Sequence, residues 1–219
     1  MTRPRATPWR IATLMLTGSL ILTGCGGGSS EDSPITVNSP PSQSAFRGAV
    51  VGPGITLPSV TLTDTSGRPW NLATKGRGRI TALYFGYTHC PDVCPTDMAD
   101  LATARRALAP DLRNKVDIVF VTVDQKRDTR AVMRKWLDRF DTSIIGLTGT
   151  PAQLSAAAKA LRIRYGTTTP AKGLPEVSHS SQMTAFTTDG VSRLIWLDGT
   201  AVSDIVNDMR LLASGQVPR

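Results

Sequence analysis

Apolar residues between about Ile55 and Leu212 fall into two kinds of pattern. Ile80–Phe85 and Val116–Val123 are nearly unbroken apolar runs of strand length, as expected for strands covered on both faces. Ile144–Leu147 is a shorter run of the same kind. Asp97–Leu108 instead repeats its apolar positions at helical spacing, with Met98, Leu101, Ala104 and Leu108 on one side. Thr129–Phe140 and Ala201–Leu212 do likewise, and Thr150-Pro151 supplies an N-cap and a first-turn proline for a helix reaching about Ile163. Two hairpins complete the pattern. Val60–Thr63 and Pro69–Leu72 flank a turn ending in Gly67, and Met183–Thr187 and Ser192–Trp196 flank Asp189-Gly190.

Strand, helix, strand, helix, then a hairpin and a closing helix predict an α/β fold. The expected architecture is a central mixed sheet flanked by helices, with an N-terminal β-hairpin extension. This order is similar to that of a thioredoxin-like domain. It places Cys90 and Cys94 at the turn after the first core strand, where open α/β sheets hold their sites.

The first residues read differently. Arg3, Arg5 and Arg10 precede a mostly apolar Ile11–Leu22, the layout of an export signal and too short for a spanning helix. Leu22-Thr23-Gly24-Cys25 resembles a bacterial lipobox, which implies cleavage before Cys25 and a lipid on its sulfur. Gly26–Gln43 is rich in Gly, Ser and Pro, the composition of a flexible tether. The expected division is residues 1–24 as lipoprotein signal peptide and 25–49 as lipid-anchored linker. Residues 50–214 would then form the folded domain and 215–219 a tail. Location would be the extracytoplasmic face of a bacterial cell membrane. Removing residues 1–24 takes away three arginines and no acid, so the formal charge falls from +8 to about +5. No basic stripe alternates with aromatics, which argues against a nucleic-acid partner.

Past Cys25, Cys90 and Cys94 are the only cysteines, and His89 and His179 are the only histidines in the chain. Residues four apart on a helix share a face about 6 Å apart, close enough for a disulfide or for two sulfurs on one metal. A thiol at a helix N-terminus is expected to ionise readily. Two thiolates select copper, zinc or iron–sulfur clusters. Clusters want four cysteines and structural zinc wants four ligands. His89, adjacent to Cys90, points elsewhere, so Cys90, Cys94 and His179 leave three ligands, which suit copper best. Asp124 and Asp128 are candidates to surround the site or help dock a partner, with Asp128 alternatively capping the helix near Thr129.

Phe85–Pro95, Val123–Thr129 and Val177-Ser178-His179-Ser180 together resemble the Sco/SenC family over about Ile55–Leu212. Gln125 stands where the family often has Pro, and Ser178 where it often has Asp. The resemblance implies a membrane-tethered, thioredoxin-like copper chaperone with Cys90, Cys94 and His179 as ligands. Its partner would be the cytochrome c oxidase subunit carrying the copper A centre. The competing class is a thiol–disulfide reductase using a Cys90–Cys94 disulfide on a copper protein's cysteines. Three residues between the thiols, rather than two, weigh against the reductase.

Overall fold

β5 (Ile80–Gly86) explains the layout, because all seven of its residues are buried. A strand covered on both faces must lie mid-sheet, and its neighbours bear this out. It pairs in parallel with β6 (Val116–Thr122) and antiparallel with β10 (Met183–Phe186). The computed structural model describes residues 36–38, 45–168 and 176–218. Expectations for residues 1–35 and 39–44, including the signal segment, Cys25 and most of the linker, lie outside these.

In chain order the N-terminal strands are β1 (Thr36–Asn38), β2 (Ala49–Gly52), β3 (Thr61–Asp64) and β4 (Pro69–Asn71). α1 (Leu72–Gly76) then leads to β5, α2 (Val93–Ala107), α3 (Pro110–Arg113) and β6. α4 (Arg130–Leu137), β7 (Ile145–Thr148) and α5 (Pro151–Ala160) follow. β8 (Tyr165–Thr168), β9 (Glu176–His179), β10, β11 (Ser192–Trp196) and α6 (Val202–Ala213) close the fold. One sheet runs β1-β2-β11-β10-β5-β6-β7-β3-β4, and β8 pairs with β9 as a separate antiparallel ribbon. The order β6-β5-β10-β11 within it is the thioredoxin-like core read from the sequence. The expected N-terminal hairpin is present as β3–β4, and it extends the sheet because β3 pairs with β7, leaving β4 at the edge.

Tyr84 and Phe120 sit side by side in register, their ring centroids 6.3 Å apart, on the face covered by α2 and α4. Trp136 of α4 stands 5.2 Å from the Phe120 ring. Leu57 and α1 cover the opposite face at Gly76 and Thr81. Gly190, at φ +77°, takes the left-handed turn of the last hairpin that a Cβ would strain.

Packing begins before Val50. Phe46 is buried, and the amides of Arg47 and Gly48 donate to the Asp208 carboxylate at 2.8 and 2.7 Å. Trp196 Nε1 donates to the same group at 2.9 Å. Asp208 is wholly buried, so Trp196 is more than strand packing: with Asp208 it ties β11, α6 and the chain entering β2 together. Residues 36–38, expected in the tether, pair as β1 along β2 from Thr36 opposite Gly52. The Thr-Val step there suits a strand edge, against the Gly/Ser-rich composition around it.

Asp208→Ala leaves the amides of Arg47 and Gly48 and the Trp196 N–H without their acceptor. It is expected to cost about 3 kcal/mol, read as a lower urea midpoint. An unchanged midpoint would contradict this role.

Candidate metal and thiol site

The chain leaves the carboxyl end of β5 at Gly86, crosses Tyr87–Asp92, and enters α2 at Val93. α2 therefore starts four residues earlier than the periodicity predicts. Pro95 is its third residue, where the amide would have no partner within the helix, so the proline does not block it. Cys90 lies in the loop, half-buried, and Cys94 lies in the first turn, fully buried. Both are thiols, with no disulfide between them. The Asp92 side chain makes no cap. Instead the Cys94 amide donates to Cys90 Sγ at 3.4 Å, so a sulfur occupies the helix terminus.

The two sulfurs differ in setting. A Cβ at Gly86 would lie 3.1 Å from Cys94 Sγ, 2.6 Å from Tyr84 Cε1 and 3.0 Å from Phe120 Cε2. Gly86 thus makes the room in which Cys94 sits on the sheet. Burial pushes the Cys94 thiol up to about 12, against hydrogen bonding from the Tyr84 side chain and the Tyr87 backbone that lowers it. This corrects the expectation of a readily ionised thiol at a helix N-terminus: for Cys94, desolvation outweighs the helix end.

Asp128 holds the loop. Its wholly buried carboxylate accepts from the Thr88 amide at 2.9 Å, the Thr88 hydroxyl at 2.6 Å and the Thr122 hydroxyl at 2.7 Å. His89 Nδ1 lies 3.3 Å from the same group, with nearly half its side chain exposed. Asp128 is not the cap of α4, a role that Thr129 takes by accepting from the Val132 amide. Asp124 is hydrogen-bonded by Arg127, whose guanidinium stands 5.8 Å from the Tyr87 ring centroid.

Among the described residues, His89, Asp124 and Asp128 bring three potential ligand atoms within 4.8 Å of one another. The hydroxyls, amide and guanidinium bonded to the two carboxylates explain this cluster as the fastening of the loop.

His179 is the last residue of β9, opposite Tyr165 of β8. It sits in a ribbon that lies outside the strands predicted from the sequence. Ser180–Gln182 join it to β10, whose Thr184 pairs with Leu83 of β5. β10 therefore starts beside the carboxyl end of β5, the end that carries the cysteines. Met98 is fully buried in the core, as its helical spacing indicated.

Sequence reasoning missed Asp97. It is 1 % exposed on α2, with the Tyr84 hydroxyl as its neighbouring donor and no ordinary hydrogen bond to either oxygen. The available signal was spacing: continuing the Met98–Leu101 face back one turn reaches Cys94 and includes Asp97.

The family model described as SCO1/SenC matches residues 54–214. The chain belongs to the SCO1/SenC family. SenC of Rhodobacter capsulatus is 44% identical over 100 residues, 46% of this chain and 45% of that protein. The mouse mitochondrial SCO2 homolog is 38% identical over 123 residues, 55% and 46% of the two chains. This chain thus spans less than half the length of either relative. Among solved structures, copper-bound ScoI of Bradyrhizobium japonicum superposes with a TM-score of 0.66 at 29% identity. That match covers 72% of this chain and 99% of the other. The thioredoxin-like core of this SCO1/SenC member is shared with that protein. Among the described residues, no helix is long and apolar enough to cross a membrane.

Two outcomes are expected at this site. Asp128→Ala should lower stability by about 2–3 kcal/mol and speed alkylation of Cys90, because the loop loses its fastening; wild-type alkylation would contradict the role. Burial, reinforced by Asp198 and Asp100 and opposed by Tyr84, raises the Asp97 carboxyl to about 7. A raised acid stabilises the fold fully below its unfolded value of 3.8, and that contribution is lost as pH climbs through about 7. Asp97→Asn should therefore remove roughly 3–4 kcal/mol of the stability decline between those pH values. An identical decline in denaturant titrations of both proteins would count against it.

Proposed function

We propose that this chain is a copper chaperone that binds the ion as cargo through Cys90, Cys94 and His179. It would deliver copper to, or help assemble, the copper A centre of cytochrome c oxidase. The observation that carries the reading is the asymmetric thiol pair at the mouth of β5, one sulfur half-buried and the other behind it. Soft sulfurs favour copper, and a half-exposed one allows ligand exchange with an incoming protein thiol. Family membership and the likeness to a copper-bound ScoI support the choice of metal. His179 enters through the family motif Val177-Ser178-His179-Ser180 and through the backbone route of β9 into β10.

The same proposal includes its location. Cleavage before Cys25, lipidation of its sulfur and a tether over most of 25–49 would hold the domain on the extracytoplasmic face of the cell membrane. Two acyl chains suffice for stable anchoring where one would be marginal. Tethering would let the domain meet a membrane-bound oxidase sideways.

A second reading, a thiol–disulfide reductase for the recipient's cysteines, is favoured by the same asymmetry. An accessible sulfur can engage a partner while a buried one waits to displace it. Both chemistries use the two thiols, and His179 separates them.

Cys90→Ala, Cys94→Ala and His179→Ala are each expected to weaken copper binding by about 100-fold or more, roughly 3 kcal/mol. Titration of the reduced domain, followed by absorption and spin resonance, measures it. Wild-type affinity in all three variants would reject the copper site. Loss with the two cysteine variants alone would remove His179 from it.

A further inference from the structure

A cleft of about 510 Å³ opens between the start of α4 and the turn joining β3 to β4, lined by Thr65, Thr129, Arg130 and Arg134 among others. A second, of about 450 Å³, adjoins it at the carboxyl end of β7, and Thr129 and Arg130 line both. Arg130 reaches across to the turn, where a Cβ at Gly67 would run into its guanidinium. It forms no ion pair among the described residues, unlike Arg68, Arg127 and Arg134. Arg134 donates from Nε to Asp138 at 2.8 Å and from Nη1 to the Ile144 carbonyl at 2.7 Å. Its Nη2 is buried without an acceptor. A buried charged donor left unpaired is costly, and an anion entering the cleft would relieve that cost.

The acids beside the first cleft are already engaged. Asp138 holds Arg134, and Asp64 accepts from Ser66 and Arg68. Arg68, Arg130 and Arg134 against Asp64 and Asp138 leave one positive charge, carried by Arg130. The second cleft has a different chemistry. Thr63 and Thr148 stand opposite each other across β3 and β7, and Gln125 lines the cleft with them. The buried Asp128 carboxylate also lines it, an acceptor for hydroxyl groups that would repel an anion.

We propose that the adjoining clefts bind a phosphate ester of a polyol, with its phosphate at Arg130 and Arg134 and its hydroxyls over Thr63, Gln125 and Thr148. Guanidinium forks match phosphate oxygens, and hydroxyl and amide side chains both give and accept hydrogen bonds with a polyol. The half-buried Thr65 adds a hydroxyl at the phosphate end. Thr129 caps α4 itself, so the donors are side chains and not the helix end. Two sources present this chemistry. One is a free monoester such as glycerol phosphate, and the other is the diester headgroup of a phospholipid such as phosphatidylglycerol. The thiols take no part, so the site is separate from copper binding.

Calorimetric titration of the full chain in neutral detergent, free of copper and at constant ionic strength, tests this with inorganic phosphate, glycerol 1-phosphate and glycerophosphoglycerol. At least one ester should saturate by about 10 mM and bind about tenfold tighter than inorganic phosphate. Preference for glycerol 1-phosphate identifies a free monoester as the ligand, and preference for glycerophosphoglycerol identifies the lipid headgroup. Arg130 is exposed, so Arg130→Gln should fold normally and weaken ester binding by about 30-fold. Lys135→Gln removes an exposed cation of the same helix outside the clefts and should change binding by less than about twofold. Thr148→Val should weaken the ester by about fivefold and leave inorganic phosphate unchanged. Failure of both esters to saturate, or equal weakening by Arg130→Gln and Lys135→Gln, overturns the proposal. Copper affinity in Arg130→Gln stays at the wild-type value, so either result leaves the assignment of Cys90, Cys94 and His179 to its own test.

Discussion

Asp128 accepts hydrogen bonds from the Thr88 amide, the Thr88 hydroxyl and the Thr122 hydroxyl with almost no exposure to solvent. Thr122 ends β6, and Thr88 lies two residues beyond the end of β5, so one carboxylate joins the carboxyl ends of the two central parallel strands. β5 is buried throughout, so no residue along its length meets an incoming partner directly. Accessible groups stand where the chain leaves the sheet, and the Asp128 bonds set the path it takes there. Cys90 follows two residues after Thr88. The charge-assisted bonds offset the cost of burying a carboxylate, which an unpaired acid at this depth would not manage.

That path produces two unlike sulfurs from one short motif. Cys90 stays in the loop with its sulfur at the end of α2, while Cys94 turns inward onto Gly86. Accessibility and a retained proton are thereby divided between two residues four apart. An incoming sulfur or soft ion meets Cys90 first, and engagement of Cys94 requires a proton to leave the interior. Tyr84 and Asp97 line that interior side.

Much of this was legible in the sequence because the decisive patterns are local. The apolar runs of β5 and β6, the Thr150-Pro151 start of α5 and the Asp189-Gly190 turn each carry their signal within a few residues. What escaped depends on partners far along the chain. Asp128 resembles a helix cap until Thr88, forty residues earlier, is placed beside it. Asp208 reads as a surface acid of an amphipathic helix until Trp196 and Gly48 close over it. The ribbon β8–β9 lacks a clean apolar alternation, so it was not among the strands predicted from the sequence. The helical periodicity becomes visible only from Asp97, whereas α2 begins at Val93, two residues before Pro95. Asp97 was hidden by its identity, since an acid near a helix start is ordinarily a solvated one.

The central claim is that two unequal thiols and one distant imidazole meet on a single ion. X-ray absorption at the copper edge of the loaded, reduced domain addresses it directly. Two sulfur neighbours together with the outer-shell scattering of one imidazole is the expected result. A spectrum with a single sulfur, or with no imidazole contribution, would contradict it.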